Sequence, residues 1–596
     1  MKEKTIITLL EKRISATPDD VVISYKEDNK WKSLTWREYG KEIDRISKSL
    51  IALGIDPQDK VALMGSNTRE WFVCDMAIMV SGAVSVPIYG TSSSEQMQYI
   101  LNHSECKVLI IDNIEFFNRI REQRSKIPLL KNIVFMNSSK ISSNGWLMNQ
   151  EEFLSAGGSL PDEKLFERRS RVTPDYISSH IYTSGTTGYP KAVMLSHKNC
   201  VAAAENVYLT AKIKVKPITC SYLPLSHVAE RVINLYSPML TGSTIYLMGG
   251  YENFAAKLKE IRPTAWAGVP RVWEKIYEGV MKYKETLPEG KKRVIEWALR
   301  AGSAYNWKKY KGELISLPLS IKYSFARLLV IKKLLRSMGL DRVATTVTGG
   351  APTSGEILDF FMSIGIWLQD VYGQTEGHGT TSFATLDSIR FGSAGKPYPL
   401  VEVKIADDGK ILVKGDNVSP GYYKDPELTR ETFKDGWLYS GDQGYIDKDG
   451  FLWITGRKKD IIITSGGKNI TPSKIESALM SNPLIEHAVV VGDGKKYLCA
   501  LLTINREYAS GMNAALSSNG KEVAEDPVIN NAIKKHINEI NTHFSRVEQV
   551  KKYKILPSSF TVEEGELTHT QKVKRSIIIK KYEKEINGMY RDPLDE

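Results

Sequence analysis

Cysteine is scarce in this chain and shows no pattern. Cys74, Cys106, Cys200, Cys220 and Cys499 are scattered through 596 residues. An odd, dispersed set argues against a disulfide framework and fits a reducing compartment, with each thiol expected as a small buried hydrophobe. No stretch reaches the roughly 18 apolar residues of a membrane span. Met1–Arg13 mixes charges with Ile and Leu and lacks the apolar core of a signal peptide. The expected location is therefore cytoplasmic, with peripheral contact at a membrane left open. Zinc-finger spacing and basic helices with heptads are also missing, so no nucleic acid partner is expected. The excess of 81 basic over 69 acidic residues, a formal charge of +12, suits anionic small molecules or a phosphate-rich membrane surface without choosing between them. Nothing bears on oligomeric state.

The length exceeds one ordinary core, and 42% apolar with 25% charged residues is the balance of a globular protein of two or more domains. Strand-like and helix-like segments alternate: Lys60–Leu63, Glu70–Val80, Val84–Tyr89, Glu95–His103, Lys107–Asp112. The pattern returns at Ser243–Met248, Phe254–Ile261 and Thr264–Gly268, and again at Val343–Thr348, Glu356–Ile364 and Trp367–Tyr372. Such alternation predicts an α/β fold with a largely parallel sheet. After about Gly392 the character changes. Asp407-Asp408-Gly409 and Asp447-Lys448-Asp449-Gly450 read as hairpin turns in a smaller β-rich part. A small α+β segment follows. The expected division is 1–458, with a β-rich subdomain at about 392–458, and a C-terminal domain at 459–596. Ile321–Arg336 is a basic amphipathic helix, expected to pack with a charged face in water, or else to lie on an anionic membrane.

The sharpest motif is Tyr182-Thr183-Ser184-Gly185-Thr186-Thr187-Gly188-Tyr189-Pro190-Lys191. Its glycines let backbone approach an anion, its hydroxyls donate, and Lys191 adds charge. The loop can hold a polyphosphate, but it is not a Walker A sequence, which needs Gly-Lys followed directly by Ser or Thr. Further along, Gly349-Gly350-Ala351-Pro352 and Asp370-Val371-Tyr372-Gly373-Gln374-Thr375-Glu376-Gly377 each end a predicted strand, where open α/β sheets bind ligands. Tyr372 offers an aromatic face, and Glu376 a hard oxygen ligand suited to magnesium. In Tyr439-Ser440-Gly441-Asp442 a carboxylate could grip ribose hydroxyls, and Gly456-Arg457-Lys458-Lys459-Asp460 marks a junction. Each piece alone also reads as turn chemistry or surface charge.

In this order and spacing the motifs resemble the adenylate-forming superfamily over nearly the whole chain. Within it the chain is similar to long-chain fatty acid–CoA ligases of the bubblegum type, through Leu223–Arg231, Val269–Trp273, Asp435–Asp442, the long insert before Gly339 and Gly565–Thr568. The resemblance implies a large α/β N-terminal body and a small mobile C-terminal domain. It implies AMP-forming ligation: fatty acid and ATP give acyl-AMP and pyrophosphate, then CoA takes the acyl group. An acyl carrier protein as acceptor, and a binding protein that has lost catalysis, are the alternatives.

The implied roles are as follows. The loop Thr183, Ser184, Gly185, Thr186, Thr187, Gly188 and Lys191 holds phosphates, with Thr187 also counted as catalytic. Thr183 and Glu376 bind Mg2+, with Glu376 also counted as catalytic. Gly350, Ala351, Pro352 and Tyr372 form the adenine site, Asp370, Gly373 and Thr375 also belong to the ATP/AMP-binding set, and Asp442 and Arg457 hold the ribose. His227 sits by the reacting carboxylate; a buried helix-end histidine is the lesser alternative. Lys572 is the catalytic lysine, with Lys574 as the alternative, because Gln571 stands where many relatives have Gly. Lys459 is the hinge, and Gly466, Gly467 and Lys468 line the CoA path. Ala192 follows Lys191 where many relatives have Gly, and Arg231 stands where one type carries a tryptophan gate, so gating does not carry over.

Overall fold

The computed structural model describes residues 4–136, 141–183, 189–211, 216–250, 253–457, 460–512, 520–568 and 571–591. An eight-stranded sheet carries the first half. Lys60–Met64, Val84–Ile88, Cys106–Ile111, Asn132–Phe135 and Leu147–Asn149 run parallel within it. Its crossover helices begin on the polar side chains that cap them: Thr68 for Arg69–Val80, and a Ser93–Gln96 capping box for Ser94–His103. The helix Arg69–Val80 is buried on all sides from Trp71 to Val80, as expected of a helix that is apolar all round. At the far side, Ile177–Thr183 lies parallel to Val84–Ile88, and Lys191–Ser196 returns antiparallel to it.

A second sheet places Ala265–Gly268, Thr345–Gly349 and Gln369–Tyr372 in parallel, followed by antiparallel Ser382–Phe383 and Lys396–Pro397. The carboxyl ends of its middle strands deliver Gly349-Gly350 and Tyr372-Gly373. The α/β expectation is met, with boundaries shifted by one or two residues. Both predicted hairpins form in a third, antiparallel sheet containing Val401–Ile405, Lys410–Gly415, Trp437–Ile446 and Leu452–Arg457. The stretch 392–458 is not one sheet, however. Residues 396–397 belong to the second sheet, and Gly421–Tyr422 crosses to pair with Val193 and Met194 on the first.

The C-terminal part has its own three-stranded sheet, Ile485–Val491, Leu498–Ile504 and Val550–Ile555, with helices packed around separate apolar clusters. All five cysteines are buried and free. No described helix is long and apolar enough to cross a membrane. The basic segment is helical from Leu317 to Met338, with one wider turn at Arg327–Ile331. Its inner face is packed: Ala326 and Ile331 are buried, and Tyr323 stacks on Tyr305 at 4.1 Å between centroids. The outward face differs from the charged one expected, because Leu317, Ile321, Phe325 and Leu328 are exposed among the cations.

Candidate active site

Thr183 and Lys191 face each other in the antiparallel pairing of their strands. Ser184, Gly185, Thr186, Thr187 and Gly188 lie outside the described residues, as does Lys459. Lys191 points across to the second sheet. Its ammonium donates to the Tyr422 hydroxyl at 2.6 Å and pairs with Glu376 Oε1 at 2.9 Å, and the Tyr422 hydroxyl donates to the same oxygen at 2.7 Å. Burial pushes the Glu376 carboxyl up. The charge and hydrogen bonds of Lys191 and the Tyr422 hydroxyl outweigh that, and the carboxyl rests below its ordinary value. A carboxylate at 8% exposure is thereby kept ionised.

Asp442 and Arg457 are cross-strand partners. Arg457 Nε donates to Asp442 Oδ1 at 3.1 Å, and the Tyr372 hydroxyl donates to Oδ2 at 2.7 Å. Both carboxylate oxygens are thus oriented by neighbours. Beside them lies bare backbone. At Gly349 a Cβ would come within 2.4 Å of the Val371 carbonyl oxygen, and at Gly373 within 2.3 Å of the Gly379 carbonyl carbon. Gly350 has φ +86°, and a Cβ there would stand 3.5 Å from Lys572 Nζ. Ala351 and Pro352 continue this edge as exposed residues, and Thr375 opens the 3-10 turn that carries Glu376.

Lys572 therefore reaches the N-terminal body from the C-terminal part. A tight loop presents it: the Thr568 amide donates to the Lys572 carbonyl at 2.7 Å, the Lys572 amide donates to Thr568 Oγ1 at 3.0 Å, and Leu567 bridges to Val573. Gln571 takes φ +62° in this loop, a left-handed conformation that favours glycine. That is a physical reason why glycine suits the position, and Gln571 adopts the required turn without it. The Lys572 side chain keeps solvent access along the cleft. Protein crowding around its ammonium nevertheless lowers its pKa, Arg457 lowers it further, and Asp442 opposes. The Lys574 amide donates to the Glu566 carbonyl on the other side of the loop, with its side chain half-buried.

His227 caps the short helix Val228–Glu230: its Nδ1 accepts from the Ala229 amide at 3.3 Å. The ring proton then resides on Nε2. Burial, followed by the charge of Lys572, pushes the imidazole down to about 4, so it is neutral at physiological pH. Asp370 lies within the strand Gln369–Tyr372 with its carboxyl pushed up by burial to about 8, the Val371 amide opposing. Its folded pKa exceeds its unfolded value, so the protonated form stabilises the fold at low pH, and that stability is lost as pH rises from about 4 to 8. Asp370→Asn keeps the acceptor for Val371 and removes the titration. Its stability relative to the parent is expected to rise over that window by on the order of 2–4 kcal/mol. Denaturant unfolding at pH 5 and pH 8 measures this, and equal differences at both would refute the neutral carboxyl.

Gly466, Gly467 and Lys468 are not at this site. They form an exposed turn between Ile462–Ile463 and Asn469–Ile470, closed by the Gly467 amide donating to the Thr464 carbonyl at 2.8 Å. Sequence reasoning missed Tyr422 and Asn417. Asn417 Nδ2 donates to the carbonyls of Gly377 at 2.8 Å and Thr380 at 3.0 Å, fixing the turn that carries Glu376. Asn417 lies in a turn of ordinary composition, and Tyr422 is brought in by the two-residue strand Gly421–Tyr422, which crosses to the first sheet. Among the described residues no group of three or more His, Cys, Asp or Glu side chains could hold a metal.

Bare strand ends, the paired Asp442 and Arg457, and a lysine from the C-terminal part therefore meet at one place. Comparison makes this specific. The family model described as AMP-binding enzyme matches residues 10–423, and that of the AMP-binding enzyme C-terminal domain matches 459–593. The long-chain-fatty-acid–CoA ligase ACSBG2 of Xenopus laevis is 34% identical, covering 99% of this chain and 84% of its own. The long-chain-fatty-acid–CoA ligase FadD15 of Mycobacterium bovis is 33% identical, covering 96% of this chain and 95% of its own. Among solved structures, the AMP complex of the A-PCP didomain of a carboxylic acid reductase from Segniliparus rugosus shares the fold. It has a TM-score of 0.75 and 20% identity, covering 99% of this chain and 82% of that one. A Mycobacterium tuberculosis fatty acyl CoA synthetase shares it with a TM-score of 0.62 and 20% identity, covering 98% and 99%. The chain belongs to the AMP-binding enzyme family and, within it, to the AMP-forming fatty acid–CoA ligases.

Proposed function

We propose that this protein joins a long-chain fatty acid to CoA in two steps. In the first, a carboxylate oxygen of the acid attacks the α-phosphorus of ATP, and the bond to pyrophosphate breaks, leaving acyl-AMP. In the second, the CoA sulfur attacks the acyl carbon, the bond to AMP breaks, and the thiol proton passes to solvent. The observation that carries the first step is Lys572 lying against Gly350 with Arg457 and Asp442 as its charged neighbours. Adenine would lie along Gly350–Pro352 and Tyr372, with the ribose on the oriented Asp442 carboxylate. Lys572 would meet negative charge on the phosphates and incoming carboxylate, so that rate comes from positioning and electrostatics. His227, as a neutral donor through Nε2, would orient the acid without charging.

Magnesium fits the remaining donors. Among the described residues Thr183 Oγ1 is buried without a hydrogen-bond partner, and the contacts of Glu376 with Lys191 and Tyr422 both fall on Oε1. One carboxylate and one hydroxyl suit an ion that takes its other ligands from substrate phosphates and water. When bound, magnesium would supply charge neutralisation at the phosphates. For the second step, the exposed Gly466–Lys468 turn is the proposed pantetheine path, reached by rotation of residues 459–596 about Lys459. We place the protein in the cytoplasm.

Long-chain substrates follow from the relatives. Each buried methylene contributes about 0.8 kcal/mol, so a deep apolar pocket discriminates chain length steeply. The test is to supply ATP, magnesium, CoA and acids of graded length and to measure AMP and acyl-CoA. Both products, rising to an optimum at long chains, are expected. AMP without acyl-CoA would redirect the acceptor to a carrier protein, and no AMP with any acid would sink the reading.

A further inference from the structure

The helix from Leu317 to Met338 has an outer face that the reaction does not use. Leu317 is 74% exposed, Leu328 64%, Phe325 56% and Ile321 49%, at the three- and four-residue spacing of one helical face. Leu314, just before the helix, is 96% exposed. Scattered exposed leucines are ordinary, but a row along one helix is not. Along the segment itself the charge has one sign. From Leu314 to Leu340 the chain contains Lys322, Arg327, Lys332, Lys333 and Arg336 and no acidic residue. Among the described residues, Lys322, Arg327, Lys332 and Lys333 form no ion pair, and Arg336 lies close enough to Asp341 to help lower its carboxyl.

We propose that this face docks the protein on an anionic lipid surface. The Leu317–Leu328 row would enter the headgroup–acyl boundary and the lysines would meet lipid phosphates. Charge complementarity selects this occupant. A second copy of this face would oppose five cations to five cations, whereas an anionic bilayer attracts every one of them. The inner face explains why the helix exists before it meets lipid. Tyr323 stacks on Tyr305, Ala326 and Ile331 are buried, and Gly302 comes so near the Ser363 carbonyl that any side chain there would collide with it. Folding is settled by the core, which leaves the outer row unpartnered and preformed. Docking then costs little ordering entropy.

Co-sedimentation tests this, using vesicles of phosphatidylcholine alone and of phosphatidylcholine with phosphatidylglycerol. The full-length protein is expected to bind the mixed vesicles, and to bind at least about tenfold more weakly to neutral ones or in high salt. Lys332→Glu with Lys333→Glu, and separately Phe325→Ser with Leu328→Ser, should each weaken binding at least about tenfold. Thermal unfolding and turnover of a dissolved acid should stay at parental levels. If the paired serine variant unfolds early, Leu317→Ser serves in its place. Three results would overturn the proposal. One is parental protein that ignores phosphatidylglycerol, and another is variants that bind like the parent. The third is a dimer in sedimentation that the serine variant dissolves while vesicles bind nothing.

Discussion

Lys572→Ala is expected to lower the adenylation step by about 10²–10³-fold, the scale on which single preorganised electrostatic groups act in transition states. Exchange of labelled pyrophosphate into ATP, driven by the acid, reads that step directly. Thioester formation from supplied acyl-AMP and CoA should remain within a few-fold of the parent, because that reaction carries no charge build-up at the β- and γ-phosphates. Folding should be unaffected, since the side chain projects from its loop into an accessible cleft. Lys574→Ala serves as the comparison. Its backbone amide closes the loop on Glu566, while its side chain does not meet the Gly350 edge, so adenylation should change only a few-fold. Equal loss in both variants, or loss in Lys574→Ala alone, would refute the assignment of Lys572.

The second large effect is expected at Glu376→Gln. The amide keeps the side chain's shape but removes the charge that Lys191 and Tyr422 now hold ionised. The magnesium concentration for half-maximal pyrophosphate exchange should rise at least about tenfold, in the range that lost metal-site carboxylate contacts produce. Some stability should be lost as well, because the half-buried Lys191 side chain would lose its ion-pair partner. The two effects separate experimentally. Excess magnesium should restore much of the exchange rate but none of the lost stability. An unchanged magnesium titration would remove Glu376 from the metal site, whatever the unfolding curves show.

Much of the fold was legible because its signals are local. The strand–helix alternation from Lys60 to Ile111 is written in short apolar runs of alternating period. The two Asp-Gly turns announced the third sheet. Part of the site was legible for the same reason, since Gly349 and Tyr372 each end a strand that periodicity can find, and Asp442 lies on a strand of the second predicted hairpin. What escaped was non-local. Tyr422 meets Lys191 across 231 positions of sequence and Glu376 across 46, and nothing around Gly421 signals that two residues will leave one sheet to edge another. The outer face of Leu317–Met338 was misjudged for a related reason. Periodicity says that one stripe of a helix is apolar, but only the packing of Tyr323, Ala326 and Ile331 shows that a second stripe remains uncovered.

The crossing at Gly421–Tyr422 makes the site a seam. Glu376 is carried by the second sheet, Lys191 by the first, and the phenol touching both comes from a strand zipped to the edge of the first. Prising the two sheets apart must therefore dismantle the triad, and a ligand that tightens the triad must resist the prising. Nucleotide should act as a rivet: heat resistance of the N-terminal body would climb with ATP concentration, and the melting curve would double as a binding curve.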